Sequence, residues 1–143
     1  MVFPVHSRTR MRLEAADDGG RLLLSPDIRV TGPLGYLDFV ALMAQSRLVL
    51  TDSGGVQEET TVLGVPCLTV RTTTERPVTV SEGTNRLVDP YDQGAVLAAV
   101  RSAMDASKSP TPMCAPRRPE LWDGHAAGRI VAVIAEWIEH REP

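Results

Sequence analysis

The stretch that most constrains this chain is residues 47–70, where two short apolar runs bracket a glycine-containing turn and a helical segment. Arg47 to Leu50 is brief and rich in Leu and Val, which predicts a strand covered on both faces. Thr51-Asp52-Ser53-Gly54-Gly55 makes a turn, Val56 to Leu63 reads as a helix stopped by Gly64 and Pro66, and Cys67 to Val70 predicts a second strand. Strand, turn, helix and strand in so short a span predict a right-handed crossover between parallel strands. The fold class is therefore α/β.

The flanking residues extend this pattern. Val2, Phe3 and Val5 predict the end of a strand, His6 to Arg10 the loop after it, and Glu14 to Gly20 a polar loop. Arg21 to Leu24 and Ile28 to Val30 are extended candidates, separated by Ser25-Pro26 and halted by Gly32-Pro33. From Tyr36, Leu37, Val40, Ala41 and Ala44 recur at helical spacing, with Phe39, Leu42 and Met43 widening the inward face. Arg86 to Val88 predicts a last strand, and Ala95 to Met104 a helix with Val96, Leu97, Val100 and Met104 inward. Four prolines within residues 106–120 exclude a continuous helix and predict a surface connection. The final helix, expected over residues 123–140, carries Ala127, Ile130, Val131, Ile134, Trp137 and Ile138 on one broad stripe.

At 143 residues the chain has room for one domain. A formal charge of -3 provides no basic footprint for a nucleic-acid backbone, so no nucleic-acid partner is expected. The longest apolar runs fall far short of the roughly 20 residues that span a bilayer, and the basic start around His6, Arg8 and Arg10 does not resemble a signal peptide. The expected setting is cytoplasmic, without membrane attachment. Cys67 and Cys114 lack metal-site spacing; Cys67 reads as a small buried hydrophobe, Cys114 lies in the Pro-rich loop, and no structural disulfide is expected.

The turn after the first strand of the crossover is the main candidate site. Gly54 and Gly55 let the backbone approach a ligand, while Ser53 and the amides at the helix start offer donors to a phosphate. No Lys follows the glycines, so this is neither a Walker A loop nor a dinucleotide fingerprint. A second reading has Asp52 or Ser53 simply capping the helix, with the glycines making the turn. Glu58 and Glu59 suit the positive end of a helix dipole on that alone, and one of them can instead accept hydroxyls of a ligand. Arg71-Thr72-Thr73-Thr74-Glu75-Arg76-Pro77 follows the next strand, placing it at the same crevice, where guanidinium groups can meet a diphosphate and hydroxyls can bond to its oxygens, or the Arg-Glu-Arg cluster forms solvated ion pairs. Glu82-Gly83-Thr84-Asn85 is placed as another loop to help close that crevice. His6, at the end of the first strand, stands where an acid or base would act, or is an ordinary surface residue. His125 and His140 lack metal-site spacing, and no metal is expected.

In order, Thr51 to Glu59, Leu63-Gly64-Val65-Pro66, Arg71 through Thr74-Glu75-Arg76-Pro77, and Gly83-Thr84-Asn85 strongly resemble the non-hydrolysing UDP-N-acetylglucosamine 2-epimerases. The resemblance reaches back through Pro33 to Phe39 and Pro4-Val5-His6, and forward to Trp122 to Ala127. It implies the C-terminal half of a glycosyltransferase-B-like fold: a Rossmann-like parallel sheet flanked by helices, with residues 1–143 as a partial UDP-binding domain. It also implies interconversion of UDP-GlcNAc and UDP-ManNAc through loss and re-addition of UDP, without a cofactor, in the service of cell envelope polysaccharide.

By motif position, Ser53, Gly54 and Gly55 would meet the phosphates, Arg76 the diphosphate, Glu59 the ribose and Phe39 the uracil region. His6 would be the functional histidine. The family's proton-transferring carboxylates come from an N-terminal domain, so the resemblance implies a missing domain or separate chain, inactivity alone, and a homodimer for the full-length protein. Ser7, where relatives often have Pro, and Val78, where many have Glu, depart from the pattern. Two other readings remain: a nucleotide-sugar-binding module without catalysis, and a UDP-sugar glycosyltransferase of similar fold. Since the family's last helix packs on the N-terminal domain, part of the Ile134, Trp137 and Ile138 face is expected to be uncovered.

Overall fold

A computed structural model describes residues 1–16, 19–106 and 118–140. The chain divides into two compact units, Met1–Leu42 and Met43–Pro143.

In the first unit, β1 (Val2–Pro4) and β2 (Arg29–Thr31) pair in parallel, with Phe3 opposite Val30. The Val5 amide continues the ladder to the Thr31 carbonyl at 3.0 Å, and the Val5 side chain is buried. Two helices lie between the strands, where loop and strand were expected. Residues 7–15 form α1 (Ser7–Ala15), and the predicted extended run at Arg21 to Leu24 is instead largely α2 (Gly19–Leu23). Apolar periodicity misses α1 because the helix is polar. Arg, Met, Leu, Glu and Ala are good helix formers, His6 Nδ1 accepts from the Arg8 amide at 3.3 Å, and Arg10 lies 4.0 Å from Glu14 one turn on. The apolar run of α2 is too short for its period to tell helix from strand.

Helix α3 (Tyr36–Ala44) forms as expected but is turned from the predicted face: Met43 is buried, whereas Leu37 is 79% exposed and Ala41 and Ala44 face water. With apolar residues almost all round, the sequence does not single out one stripe.

The second unit contains β3 (Val49–Thr51), α4 (Gly54–Leu63), β4 (Cys67–Val70), α5 (Pro77–Ser81), β5 (Asn85–Val88), α6 (Gln93–Ala106) and α7 (Ala126–Glu139). The strands lie in the order β3-β4-β5, all parallel, with Leu50 opposite Leu68 and Leu68 opposite Arg86. Leu50, on the face where α6 packs against β4 and β5, is 48% exposed, against the expectation of a strand covered on both faces. Helix α4 ends at Gly64, whose φ of 70° is the left-handed conformation that glycine adopts without strain. The Val65 amide bonds back to the Thr60 carbonyl at 2.9 Å, closing a Schellman turn.

Alternation along β4 gives the sheet two unlike faces. Leu68 joins Val88 and Ala99 in an apolar cluster lined by Leu48, Ala95, Val96 and Val100. Leu97, expected inward on α6, is exposed, and Ala99 takes the inward place. Cys67 and Thr69 point the other way, toward α4 and α5, into an interior of Gln57, Thr60, Thr61, Thr79 and Asn85. Cys67 is the buried, free thiol expected of it. Cys114 and most of the Pro-rich connection, residues 107–117, lie outside the described residues.

Before α7, the chain turns through Leu121 and Gly124, with φ of 67° and 84°. Asp123 fastens this turn by accepting from the His125 amide and from Arg129 Nη1, at 2.9 and 2.8 Å. No described residue of α7 is buried, and Ile134, Trp137 and Ile138 are 51%, 56% and 56% exposed, so the expected opening of that face is present.

Candidate functional site

Parallel pairing brings the turn after β3 and the loop after β4 to the same, carboxyl-terminal edge of the sheet. Ser53 occupies the N-cap of α4 in an extended conformation, φ −84° and ψ 133°, yet its hydroxyl makes no capping hydrogen bond. The amides of Gly54, Gly55 and Val56 open the helix and have no intrahelical acceptor. Neither Gly54 nor Gly55 has positive φ, and a Cβ built on either meets nothing within 4 Å. The turn itself therefore does not demand glycine at these positions. What the two glycines leave is open space in front of backbone donors.

The 71–76 loop is tied to the first turn of α4. Arg76 Nε lies 3.1 Å from Glu58 Oε1, both side chains being about half exposed. Thr74 Oγ1 donates to Gln57 Oε1 at 2.6 Å and accepts from the Arg76 amide at 3.0 Å. The loop's other arginine faces its own acid: Arg71 grips Glu75 through two hydrogen bonds of 3.1 Å. The Glu75 backbone amide first, and the Arg71 guanidinium second, hold that carboxyl below the ordinary range. The solvated ion pair weighed for this segment thus describes both arginines, Arg71 with Glu75 inside the loop and Arg76 with Glu58 on α4.

Of the residues singled out in the sequence, Ser53, Gly54, Gly55, Glu59 and Arg76 lie on or against the start of α4 in the second unit. Glu59 is half-buried one residue beyond Glu58. His6 and Phe39 belong to the first unit; His6 is the exposed N-cap of α1, and Phe39 is half-buried on α3. The Gly83-Thr84-Asn85 segment does not line the strand-end crevice, because it leads into β5. Gly83 instead lies hard against Thr61 and the Thr79 carbonyl, and the Asn85 amide donates to Gln57 Oε1 and Thr79 Oγ1, at 3.0 and 3.1 Å.

Gln57 carries no site role of its own in the sequence, and the Thr74 hydroxyl, expected to bond to ligand oxygens, is engaged by Gln57 and the Arg76 amide. The signal of Gln57 is a neutral amide on the same helical stripe as Val56, Thr60 and Thr61, which marks a buried polar group needing partners. Among the described residues no group of three or more His, Cys, Asp or Glu can hold a metal ion, and no helix is long and apolar enough to cross a membrane.

Helix-start amides, an uncommitted cap hydroxyl and a guanidinium at the carboxyl edge of a parallel sheet can together bind an anion. They belong to a Rossmann-like α/β domain. A sequence model of the UDP-N-acetylglucosamine 2-epimerase family matches residues 1–135, and the chain belongs to that family. It is 40% identical over 139 residues to a probable UDP-N-acetylglucosamine 2-epimerase of Ralstonia nicotianae, covering 96% of this chain and 36% of that protein. The Methanocaldococcus jannaschii UDP-N-acetylglucosamine 2-epimerase is 47% identical over 88 residues, covering 62% of this chain and 24% of the relative.

A crystal structure of the M. jannaschii enzyme in complex with UDP-GlcNAc and UDP superposes with a TM-score of 0.77 at 35% identity, covering 94% of this chain and 35% of that one. The family's fold is glycosyltransferase-B-like, and its members named above are isomerases. The chain spans about a third or less of the length of these relatives.

Proposed function

We propose that this chain is the UDP-binding portion of a non-hydrolysing UDP-N-acetylglucosamine 2-epimerase. The observation that carries the reading is the turn at Ser53, Gly54 and Gly55: its hydroxyl does not cap, and its glycines serve neither backbone nor packing. Such a turn suits a diphosphate resting on amides, with Arg76 neutralising its charge and Glu59 accepting from the ribose hydroxyls. The uracil role of Phe39 and the functional role of His6 rest on the family motif alone.

In this reaction the C1–O bond to UDP breaks as a proton leaves C2, giving a 2-acetamidoglucal. UDP then returns to C1 as C2 is protonated on its other face, so UDP-GlcNAc becomes UDP-ManNAc. Donors on the diphosphate stabilise the departing charge. Removing and replacing the C2 proton needs carboxylates that the family carries in its N-terminal domain, so the chain alone turns over no sugar nucleotide. We place the reaction in the cytoplasm, in a homodimeric whole enzyme supplying cell envelope polysaccharide.

Titration calorimetry of the full chain with UDP and with uridine tests the binding step. UDP is expected to bind at least tenfold more tightly, and equal affinities would remove the diphosphate from the reading. Epimerisation restored by coexpression with the polypeptide encoded immediately upstream checks the catalytic half, and a coexpressed pair that binds UDP-GlcNAc without converting it contradicts that half.

A further inference from the structure

A closed ring of hydrogen bonds begins and ends on the peptide groups of Arg76. The Arg76 N–H donates to Thr74 Oγ1 at 3.0 Å, and the Thr74 hydroxyl donates to Gln57 Oε1 at 2.6 Å. The same oxygen accepts from Asn85 Nδ2 at 3.0 Å. Asn85 Nδ2 also donates to Thr79 Oγ1 at 3.1 Å, and the Thr79 hydroxyl returns to the Arg76 carbonyl at 2.7 Å. Two further bonds fix its orientation: Thr69 Oγ1 donates to Asn85 Oδ1 at 2.6 Å, and Gln57 Nε2 to the Ser53 carbonyl at 3.3 Å.

Both amide groups and both threonine hydroxyls thus have donor and acceptor roles that agree around the circuit, leaving one arrangement of protons. Gln57 and Thr79 are 0% exposed and Asn85 is 5% exposed, yet the residue they enclose carries an exposed side chain. Arg76 is the N-cap of α5 with no side-chain capping bond, at φ −122° and ψ 58°; its carbonyl is held by Thr79 of that helix and its amide by Thr74 of the loop before it. One amide, that of Gln57, is therefore bonded to the Ser53 carbonyl directly and to the Arg76 amide through a single hydroxyl.

We infer that Thr74, acting through Gln57, is a positioning residue that sets the Arg76 guanidinium at a fixed distance from the 53–55 turn, for a ligand bearing two phosphates. The inference rests on the UDP reading above. Its consequence is selective: loosening the ring costs affinity for the part of the ligand that bridges Arg76 and the turn, and spares the nucleoside.

The test measures UDP and uridine affinity by calorimetry on the full chain, with melting temperature alongside. Thr74→Val keeps the shape of a half-exposed side chain and removes both hydrogen bonds of its hydroxyl; it is expected to weaken UDP about tenfold and to leave uridine within about twofold. Thr74→Ser should restore UDP binding, and Thr74→Val should cost nothing further in an Arg76→Ala background. Thr74→Ala repeats the measurement should the valine variant unfold. UDP affinity unchanged by loss of the hydroxyl, while Arg76→Ala weakens it, overturns the inference and spares the UDP reading. Equal weakening of UDP and uridine makes the ring merely structural and overturns it too. A wild-type chain that prefers UDP to uridine by nothing overturns both.

Discussion

Three glycines of the second unit respond oppositely to the same added methyl group. At Gly54 and Gly55 a Cβ finds no atom within 4 Å and the backbone has no positive φ, so alanine only trades a flexible residue for a helix former. The expected gain is about 0.5 kcal/mol. For a cooperative unit of about 100 residues that raises the melting temperature by about 2–4 °C. At Gly83 the same Cβ falls 2.5 Å from Thr61 Oγ1, 2.6 Å from the Thr79 carbonyl and 2.7 Å from Thr61 Cγ2. Thr61 is bonded to the Gln57 carbonyl at 2.8 Å and cannot swing aside freely, so overpacking of about 2–3 kcal/mol lowers melting by about 10–20 °C.

Ligand linkage separates the two roles further. UDP at a hundred times its Kd stabilises the wild type by about 2.7 kcal/mol, and a tenfold weaker variant at the same concentration retains about 1.4 kcal/mol. Differential scanning calorimetry with and without UDP therefore gives a crossed pattern for Gly54→Ala and Gly55→Ala: higher melting unliganded, and a UDP-induced shift cut to about half. Variants that are more stable and respond to UDP as the wild type does would refute the view that these glycines keep space for a ligand.

Two smaller outcomes follow from the rest of the structure. Burial pushes the Cys67 thiol up against weak hydrogen bonds from Thr60 and Thr69, so in a Cys114→Ser variant a thiol reagent should label Cys67 only as fast as the unit opens; labelling at the rate of a free peptide thiol contradicts this. Arg129 first, and the His125 amide next, lower the Asp123 carboxyl to about 2, so the contribution of this bridge is complete above about pH 4 and is lost as pH falls through about 2. Carboxyl NMR should find a midpoint near 2 that returns to the ordinary range in Arg129→Ala; an ordinary midpoint in the wild type speaks against the bridge.

Much of the second unit was legible because its signals are local. An apolar run and the Gly64 and Pro66 stop report β3, β4 and the end of α4 directly, and Cys67–Val70 falls where the pattern placed it, whereas Gly54 and Gly55, expected in the turn, are the first residues of α4. The polar helix α1 was not legible, since its stability comes from propensity, a cap and an ion pair and leaves no apolar stripe. Exposure of Leu37 and Leu97 shows a similar limit: helices apolar on several sides do not declare which side is inward. At the candidate site the motif residues could be named, but their connection could not. That Arg76 meets Glu58, and that one glutamine joins Ser53 to Thr74, are facts of long-range geometry.

The hydroxyl- and amide-filled interior behind β4 also bears on how this protein meets heat and cold. Exposing apolar surface raises the heat capacity of unfolding and exposing polar surface lowers it, so Gln57, Thr60, Thr61, Thr69, Thr79 and Asn85 offset part of what Leu68, Val88 and Ala99 contribute. The second unit should therefore have a flatter stability curve than an aliphatic core of equal size, holding its shape over a wider span of temperatures for the same peak stability.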